Sequence, residues 1–436
     1  MTLDSPSLDS RSGLAAWLQR PLSRTRNAIA TDDLLQHGGL MAGATVVSGG
    51  FNYGYQVFMG RALGPAQFGV FGALFAMFYL VAVVGRGIRF SASRFVAEFD
   101  ADDPSLAGYH RGFFLRAVAG GLLVFGAIAL TSRPLARFLG VTSPWLVVLV
   151  GAIVPLSLAF TANKGTLQGR QWFGALGGAQ ILLAGVKFAT GVGLVLAGYG
   201  LAGALGAIAV GTVVALVGST ALIRWRLPRA SVGDESGSPD FAAAYRYTLP
   251  AVLAGFCLTV PGTVDVIVAQ HAVAGLAAGW YAAVAVLGKI LVFLPLGITA
   301  ALFPKVSTGH AEPDAPLLGL LGRGLCYAGV VTGAGTLTYL LVPRLVLRAF
   351  FGAAYVGAAP LLRWYGVAIL AFVLAVVVLY FELARDGLGF VYAFTGATLV
   401  EIGLLWAVGG SPVAMAQVIL VVNAGLFAVG LYEVGR

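Results

Sequence analysis

The sequence predicts an all-α integral membrane protein with about 12 transmembrane helices in two pseudo-symmetric six-helix lobes. Three observations carry that expectation. Of 436 residues, 59% are hydrophobic and 10% charged, whereas a soluble domain carries about 25% charged residues. The apolar residues gather into stretches near twenty residues, the length that crosses a ~30 Å hydrocarbon core at ~1.5 Å per residue. The pattern of one half then returns in the other. A hairpin from Gly60 to Phe99 turns at Gly64-Pro65, runs apolar from Phe68 to Ile88 and leaves through Arg86, Arg89 and Arg94. Between Ala269 and Ser307, Gly279-Trp280-Tyr281 opens a helix, Lys289 lies inside it and Phe303-Pro304-Lys305 follows. Repeated halves of this kind point to a transporter architecture.

The elements follow in order. Residues 1–37 are a polar, basic N-terminal tail. There Leu14, Trp17 and Leu18 at helical spacing among Arg11, Arg20, Arg24 and Arg26 fit either a helix on the membrane surface or a disordered tail. No apolar core precedes a small-residue cleavage site, so no signal peptide is expected. The N-lobe, 38–223, holds spans 38–60, 68–88, 113–131, 144–163, 174–197 and 200–223. A linker, 224–247, contains the polar run SVGDESGSPD. The C-lobe, 248–436, holds spans 248–270, 277–300, 318–342, 359–381, 388–408 and 412–432. Gly, Ala and Val dominate the spans and suit close helix contacts. A second echo joins the halves: Leu167-Gln168-Gly169-Arg170 precedes the fifth span and Glu382-Leu383-Ala384-Arg385 the eleventh.

Charge placement sets the orientation. With a cytoplasmic N-terminus, 19 of the 27 Lys and Arg residues fall on the inner side, 6 on the outer side, and Lys187 and Lys289 within spans. This bias places both termini and the linker in the cytoplasm and the chain in the cell membrane as a multi-pass protein. It also accounts for the net charge of +9 without nucleic acid as a partner. Cys257 and Cys326 lie in apolar spans and read as buried, inert thiols. No His, Cys and carboxylate cluster has metal spacing. Asp100-Ala101-Asp102 reads as a solvated loop. No catalytic residue, metal or cofactor is expected, and the chain is expected to act as a monomer.

Candidate binding residues are those that lipid would penalise, since an ionisable group inside the membrane usually faces a cavity or a partner. Lys187 and Lys289 each lie near the midplane, one per lobe. A cationic cavity there would suit an anionic headgroup; the competing reading is a structural pairing with a carboxylate. Thr45, Ser48, Asn52 and Gln56 fall within about 80° of one another at ~100° per residue, a polar stripe that either lines the cavity or holds helices together. Arg86 joins the candidates at an inner span end, where it either contacts substrate or snorkels. Asp265 and Glu401 form a coupling or structural pair. Asp265 could meet Lys289, a coupling cation or a hydrogen-bond partner. Glu401 lies one residue from the repeat equivalent of Lys187.

The run GRALGPAQFG at 60–69 resembles the first loop of polysaccharide-biosynthesis (lipid-linked oligosaccharide) flippases of the multidrug/oligosaccharidyl-lipid/polysaccharide exporter superfamily. Leu167-Gln168-Gly169-Arg170, Val264-Asp265-Val266-Ile267-Val268, and Ala278-Gly279-Trp280-Tyr281 with Lys289 and Phe303-Pro304 are similar to the same family. The resemblance implies two six-helix lobes in a V and alternating access. It also implies that a polyprenyl-(pyro)phosphate-linked glycan moves from the inner to the outer leaflet of the lipid bilayer; Na+ or H+ is a candidate coupling ion beside it. The second-half loop, QHAVAGLAAG, departs from the first-half motif. One rival is a cation-coupled drug antiporter of the same superfamily, for which carboxylates are expected in the first six spans; none is there. The other is a membrane glycan polymerase or transferase, which the short outer loops disfavour.

Overall fold

The computed structural model describes residues 11–100, 103, 105–227, 255, 256, 259–273, 275–293, 295, 317–385 and 388–435. Among them every regular element is helical. The chain runs as α1 (Arg11–Ala97), α2 (Ser105–Leu130), α3 (Ser132–Phe138), α4 (Pro144–Gly169), α5 (Phe173–Leu194) and α6 (Gly200–Arg226). It continues as α7 (Pro261–Val273), α8 (Gly275–Phe293), α9 (Leu317–Leu341), α10 (Pro343–Phe350), α11 (Ala359–Ala384), α12 (Leu388–Val408) and α13 (Pro412–Val434). A π turn, Val195–Tyr199, joins α5 to α6, and a 3₁₀ turn, Ala353–Ala358, leads into α11.

Nine helical stretches among the described residues are long and apolar enough to cross a membrane. Two of these are double. Gly38–Ala97 has 60 residues and Phe173–Arg226 has 54, each far beyond the ~20 that one crossing needs. The first bends at Gly64, whose φ of 73° and ψ of 168° leave the helix. A Cβ is disfavoured at such a φ, so glycine sets the hairpin. The second bends through Gly198 and Gly200, with φ of 90° and 51°. With α7 added, the count agrees with about twelve crossings. Several starts are written locally: α4, α10 and α13 open with proline, whose fixed φ suits a first helical turn.

The repeat is visible in the path. In the N-lobe α2, short α3, α4, α5 and α6 follow one another; in the C-lobe α9, short α10, α11, α12 and α13 do the same. The short helices end alike, Phe138-Leu139-Gly140 and Phe350-Phe351-Gly352, with positive φ at both glycines and Leu139 and Phe351 buried.

Three expectations are corrected. The second and fourth spans, expected to end at 88 and 163, run on to Ala97 and Gly169. Thus Arg89 and Lys164, expected beyond the span ends, lie within helices, as Arg86 does. The short helices α3 and α10 were not expected. Cys326 is exposed on the bundle surface rather than buried. Cys257, Phe303, Pro304, Lys305, Asp102, residues 1–10, linker residues 228–247 and the first residues of the seventh span, 248–254, lie outside the described residues. The N-terminal tail is helical from Arg11.

Candidate functional site

The two ends of the bundle differ. At the end that carries Gly64, the turn end, each lobe reaches across to the short helix of the other. Arg61 donates from Nε to Phe350 O at 2.7 Å and from Nη2 to Ala349 O. The Tyr355 hydroxyl donates to Gly60 O at 2.7 Å. In the reverse direction, Gln270 Nε2 donates to Leu139 O at 3.0 Å, and His271 Nδ1 lies 2.7 Å from Phe138 O. The His271 ring stacks on Phe138 at 4.2 Å between centroids. Between these latches α1 and α8 meet without a side chain in the way: a Cβ on Gly279 would sit 1.8 Å from Pro65 O. The turn end is sealed.

Toward the opposite, linker end, a cavity of about 290 Å³ opens inside the N-lobe. Its charged lining is Arg86 and Arg89 from α1, Lys164 from α4 and Lys187 from α5, and no Asp or Glu is among its lining residues. Phe75, Tyr79 and Phe160 supply ring faces, while Asn52, Ser157, Thr161 and Thr212 supply polar groups. At ~1.5 Å per residue, Lys164, Arg89, Arg86 and Lys187 lie roughly 8, 12, 17 and 21 Å from the linker-end termini of their helices.

The cations are held differently. Arg89 Nε donates to Gln168 Oε1 at 2.8 Å. Lys164 lies 5.1 Å from the Phe160 ring centroid. Arg86 borders the other lobe: a Cβ on Gly255 would be 3.4 Å from its Cδ, and its charge acts on the phenols of Tyr79 and Tyr380. Lys187 is buried and donates from Nζ to Asn52 Oδ1, whose amide donates to Ser48 O at 2.8 Å. Its ammonium lies 4.9 Å from the Tyr55 ring centroid and 5.8 Å from that of Phe75, within cation–π range.

The residues singled out from sequence do not all converge. Asn52, Arg86 and Lys187 share the cavity. Lys289 and Gln56 instead line a second, smaller void between the lobes with Phe75 and Val266. Lys289 is half-buried, 5.8 Å from the Tyr79 ring centroid, and forms no ion pair with Asp265 within 4.0 Å. Thr45 is exposed and Ser48 buried, and their hydroxyls bond backwards to Met41 O and Thr45 O. Both lie outside the two cavities, so the polar stripe is split. Asp265, fully buried in α7, accepts from Tyr365 Oη at 2.7 Å, Tyr281 Oη at 3.2 Å and its neighbour Val266 N–H at 2.8 Å. Glu401 is buried close enough for its charge to act with that of Asp265. Sequence reasoning missed Arg89 and Lys164 as cavity residues. The available signal was the absence of proline between Ile88 and Ala97 and between Asn163 and Gly169.

The family model described as polysaccharide biosynthesis protein matches residues 34–310. The chain belongs to that family. No curated protein matches the sequence. The chain shares its fold with transporters of the MOP superfamily. An inward-facing multidrug resistance MATE family transporter superimposes with a TM-score of 0.77 at 16% identity, covering 88% of this chain and 94% of the other. Lipid II flippase MurJ in an inward closed conformation gives 0.73 at 15% identity, covering 91% and 87%. A MATE family transporter in an outward-facing conformation gives 0.60 at 14% identity, covering 90% and 93%.

Proposed function

We propose that this chain is a flippase that carries a polyprenyl-(pyro)phosphate-linked oligosaccharide from the inner to the outer leaflet of the cell membrane by alternating access. It acts as a monomer, with both termini and the linker cytoplasmic. The observation that carries this reading is the N-lobe cavity, with four cations and no lining carboxylate. A glycan headgroup cannot cross hydrocarbon unaided, because each unpaired polar group costs roughly 2–7 kcal/mol. A polar cleft with fixed cations removes that cost for the sugar and for the diphosphate, while the lipid tail stays in the bilayer. Arg86, Arg89 and Lys164 near the linker end hold the diphosphate, and arginine offers it a two-pronged donor. The sealed turn end is the outer gate of an inward-facing state. The higher similarity to inward-facing MATE than to outward-facing MATE supports that assignment.

The buried carboxylates Asp265 and Glu401 are the seat of Na+ or H+ coupling, because a cation or proton there would offset the cost of burying a carboxylate. That feature also belongs to the second reading, a cation-coupled antiporter of drugs. The cavity weighs against it, since a cationic drug would meet four like charges. It also weighs against a glycan polymerase or transferase, because no lining carboxylate is placed to act as a general base. The experiment is a flipping assay in proteoliposomes with a fluorescent polyprenyl diphosphate-linked sugar. The expected result is flipping that falls at least tenfold in the Arg86→Gln/Lys164→Gln double variant. No flipping by the wild-type protein, or equal flipping by both, overturns the proposal.

A further inference from the structure

We infer that the glycan carried by this protein bears an acidic sugar, a uronate or another carboxylate, and that Lys187 reads it separately from the diphosphate. The inference rests on the flippase reading above and concerns the same cavity. Its starting point is depth: Lys187 lies roughly 21 Å from the linker-end terminus of its helix at ~1.5 Å per residue, against roughly 8, 12 and 17 Å for Lys164, Arg89 and Arg86. The turn end closes beyond it. In a lipid-linked glycan the diphosphate joins the tail to the first sugar. A diphosphate held by the three cations near the linker end therefore leaves the deeper space to sugars.

The surroundings of Lys187 are built as a half-finished anion site. An ammonium has three donors. Among the described residues it has one hydrogen-bond acceptor, Asn52 Oδ1, and Asn52 is itself fixed by Ser48 O at 2.8 Å. Tyr55 and Phe75 cover the ammonium with ring faces. Two N–H groups remain on a side chain that lines the cavity. No described carboxylate forms an ion pair with it. A diphosphate diester carries two negative charges, fewer than the three cations nearer the linker end supply, so its neutralisation does not call on Lys187, and a further anion on the cargo would. A carboxylate fits the two free donors, and the Asn52 amide and the Phe75 and Tyr79 rings suit the sugar that bears it.

The test uses the full chain in lipid nanodiscs and two synthetic probes, farnesyl diphosphoglucose and farnesyl diphosphoglucuronate. Binding is followed by thermophoresis at constant ionic strength. The wild-type protein is expected to bind the glucuronate probe at least tenfold tighter. Lys187→Gln should bring the ratio of the two affinities close to one, and Lys187→Arg should keep most of it. The Arg86→Gln variant should weaken both probes and leave the ratio in place. A wild-type ratio near one overturns the inference. So does a Lys187→Gln protein that weakens both probes equally, because Lys187 would then contact the diphosphate. If the wild-type protein binds neither probe, the flippase reading fails and this inference fails with it. A folded Lys187→Arg protein, verified by its thermal midpoint, separates loss of charge recognition from loss of structure.

Discussion

Lys187 in α5 and Asp265 in α7 are 6% and 0% exposed, one in each lobe. The lysine spends one donor on Asn52 and turns its remaining donors to a cavity. The aspartate accepts from two tyrosine hydroxyls and a backbone N–H, and it lines neither cavity. The two lobes thus keep buried charge for different ends. Lys187 keeps donors for a ligand in the cavity, whereas Asp265 spends three acceptor sites on the helices around it and keeps about one for a coupling cation or proton. Asp265 ties α7 to α8 through Tyr281 and to α11 through Tyr365, whose rings meet edge to face at 5.8 Å.

The sharpest way to break this comparison is Asp265→Ala. Two buried phenols would lose their acceptor, each at roughly 1–3 kcal/mol. A loss of about 2–6 kcal/mol of stability is expected, read as a lower thermal midpoint in detergent. Asp265→Asn keeps an acceptor and should lose less. Wild-type stability in Asp265→Ala would mean that the tyrosine cage is not structural.

The next effect concerns the crossed latches at the turn end. Arg61 gives two hydrogen bonds to carbonyls of α10, and Gln270 and His271 give theirs to the end of α3. Arg61 is exposed, so its removal should cost about 1–2 kcal/mol. The Arg61→Gln variant should open the turn end more often. Maleimide labelling of Ala278→Cys, a position 2% exposed beside the Gly279 contact, should then rise several-fold over the rate in an Arg61 background. An unchanged labelling rate would show that the glycine contact at Gly279 suffices to hold the end shut.

In the cavity the expected energy is smaller and falls on binding alone. Arg86→Gln should weaken a polyprenyl diphosphate about tenfold, or ~1.4 kcal/mol. Its thermal midpoint should stay near that of wild type, because Arg86 makes no hydrogen bond to another described residue. If the midpoint falls as far as in Asp265→Ala, the cation belongs to the scaffold and the contrast between lobes disappears.

Much of the fold was legible because hydropathy reports burial in lipid directly, and because Gly64-Pro65 announces the first hairpin. The site was legible only in part, for a physical reason. A twenty-residue span is a rule for helices that face lipid. The second arm of α1 and α4 run beyond that length, and the Arg89 and Lys164 they carry face a cleft. Lipid-based reasoning therefore assigned them to loops. Lys187 was legible because it stands in mid-span. The short helices α3 and α10 were hidden by their length, although Phe138-Leu139-Gly140 and Phe350-Phe351-Gly352 repeat their endings. Asp265 was noticed, but its partners Tyr281 and Tyr365 were not, since nothing in sequence spacing brings residues 100 positions apart to one carboxylate.

The smallest expected effect tests the polar stripe of the first span, where four residues on one helical face meet different surroundings. The Thr45 hydroxyl is spent on Met41 O at 2.8 Å, and the side chain points out of the bundle. Asn52 lies one cavity wall away from it in role: it orients Lys187 and lines the cleft. Thr45→Val removes a hydroxyl already satisfied within its own turn and keeps the shape. Stability should change by no more than about 0.5 kcal/mol, and transport should be unaltered. Asn52→Leu should weaken substrate binding, because the Lys187 ammonium loses its acceptor. If instead Thr45→Val impairs flipping at normal protein level, the cavity must reach the outer surface of α1 during the transport cycle. The division of the stripe would then hold for this conformation only.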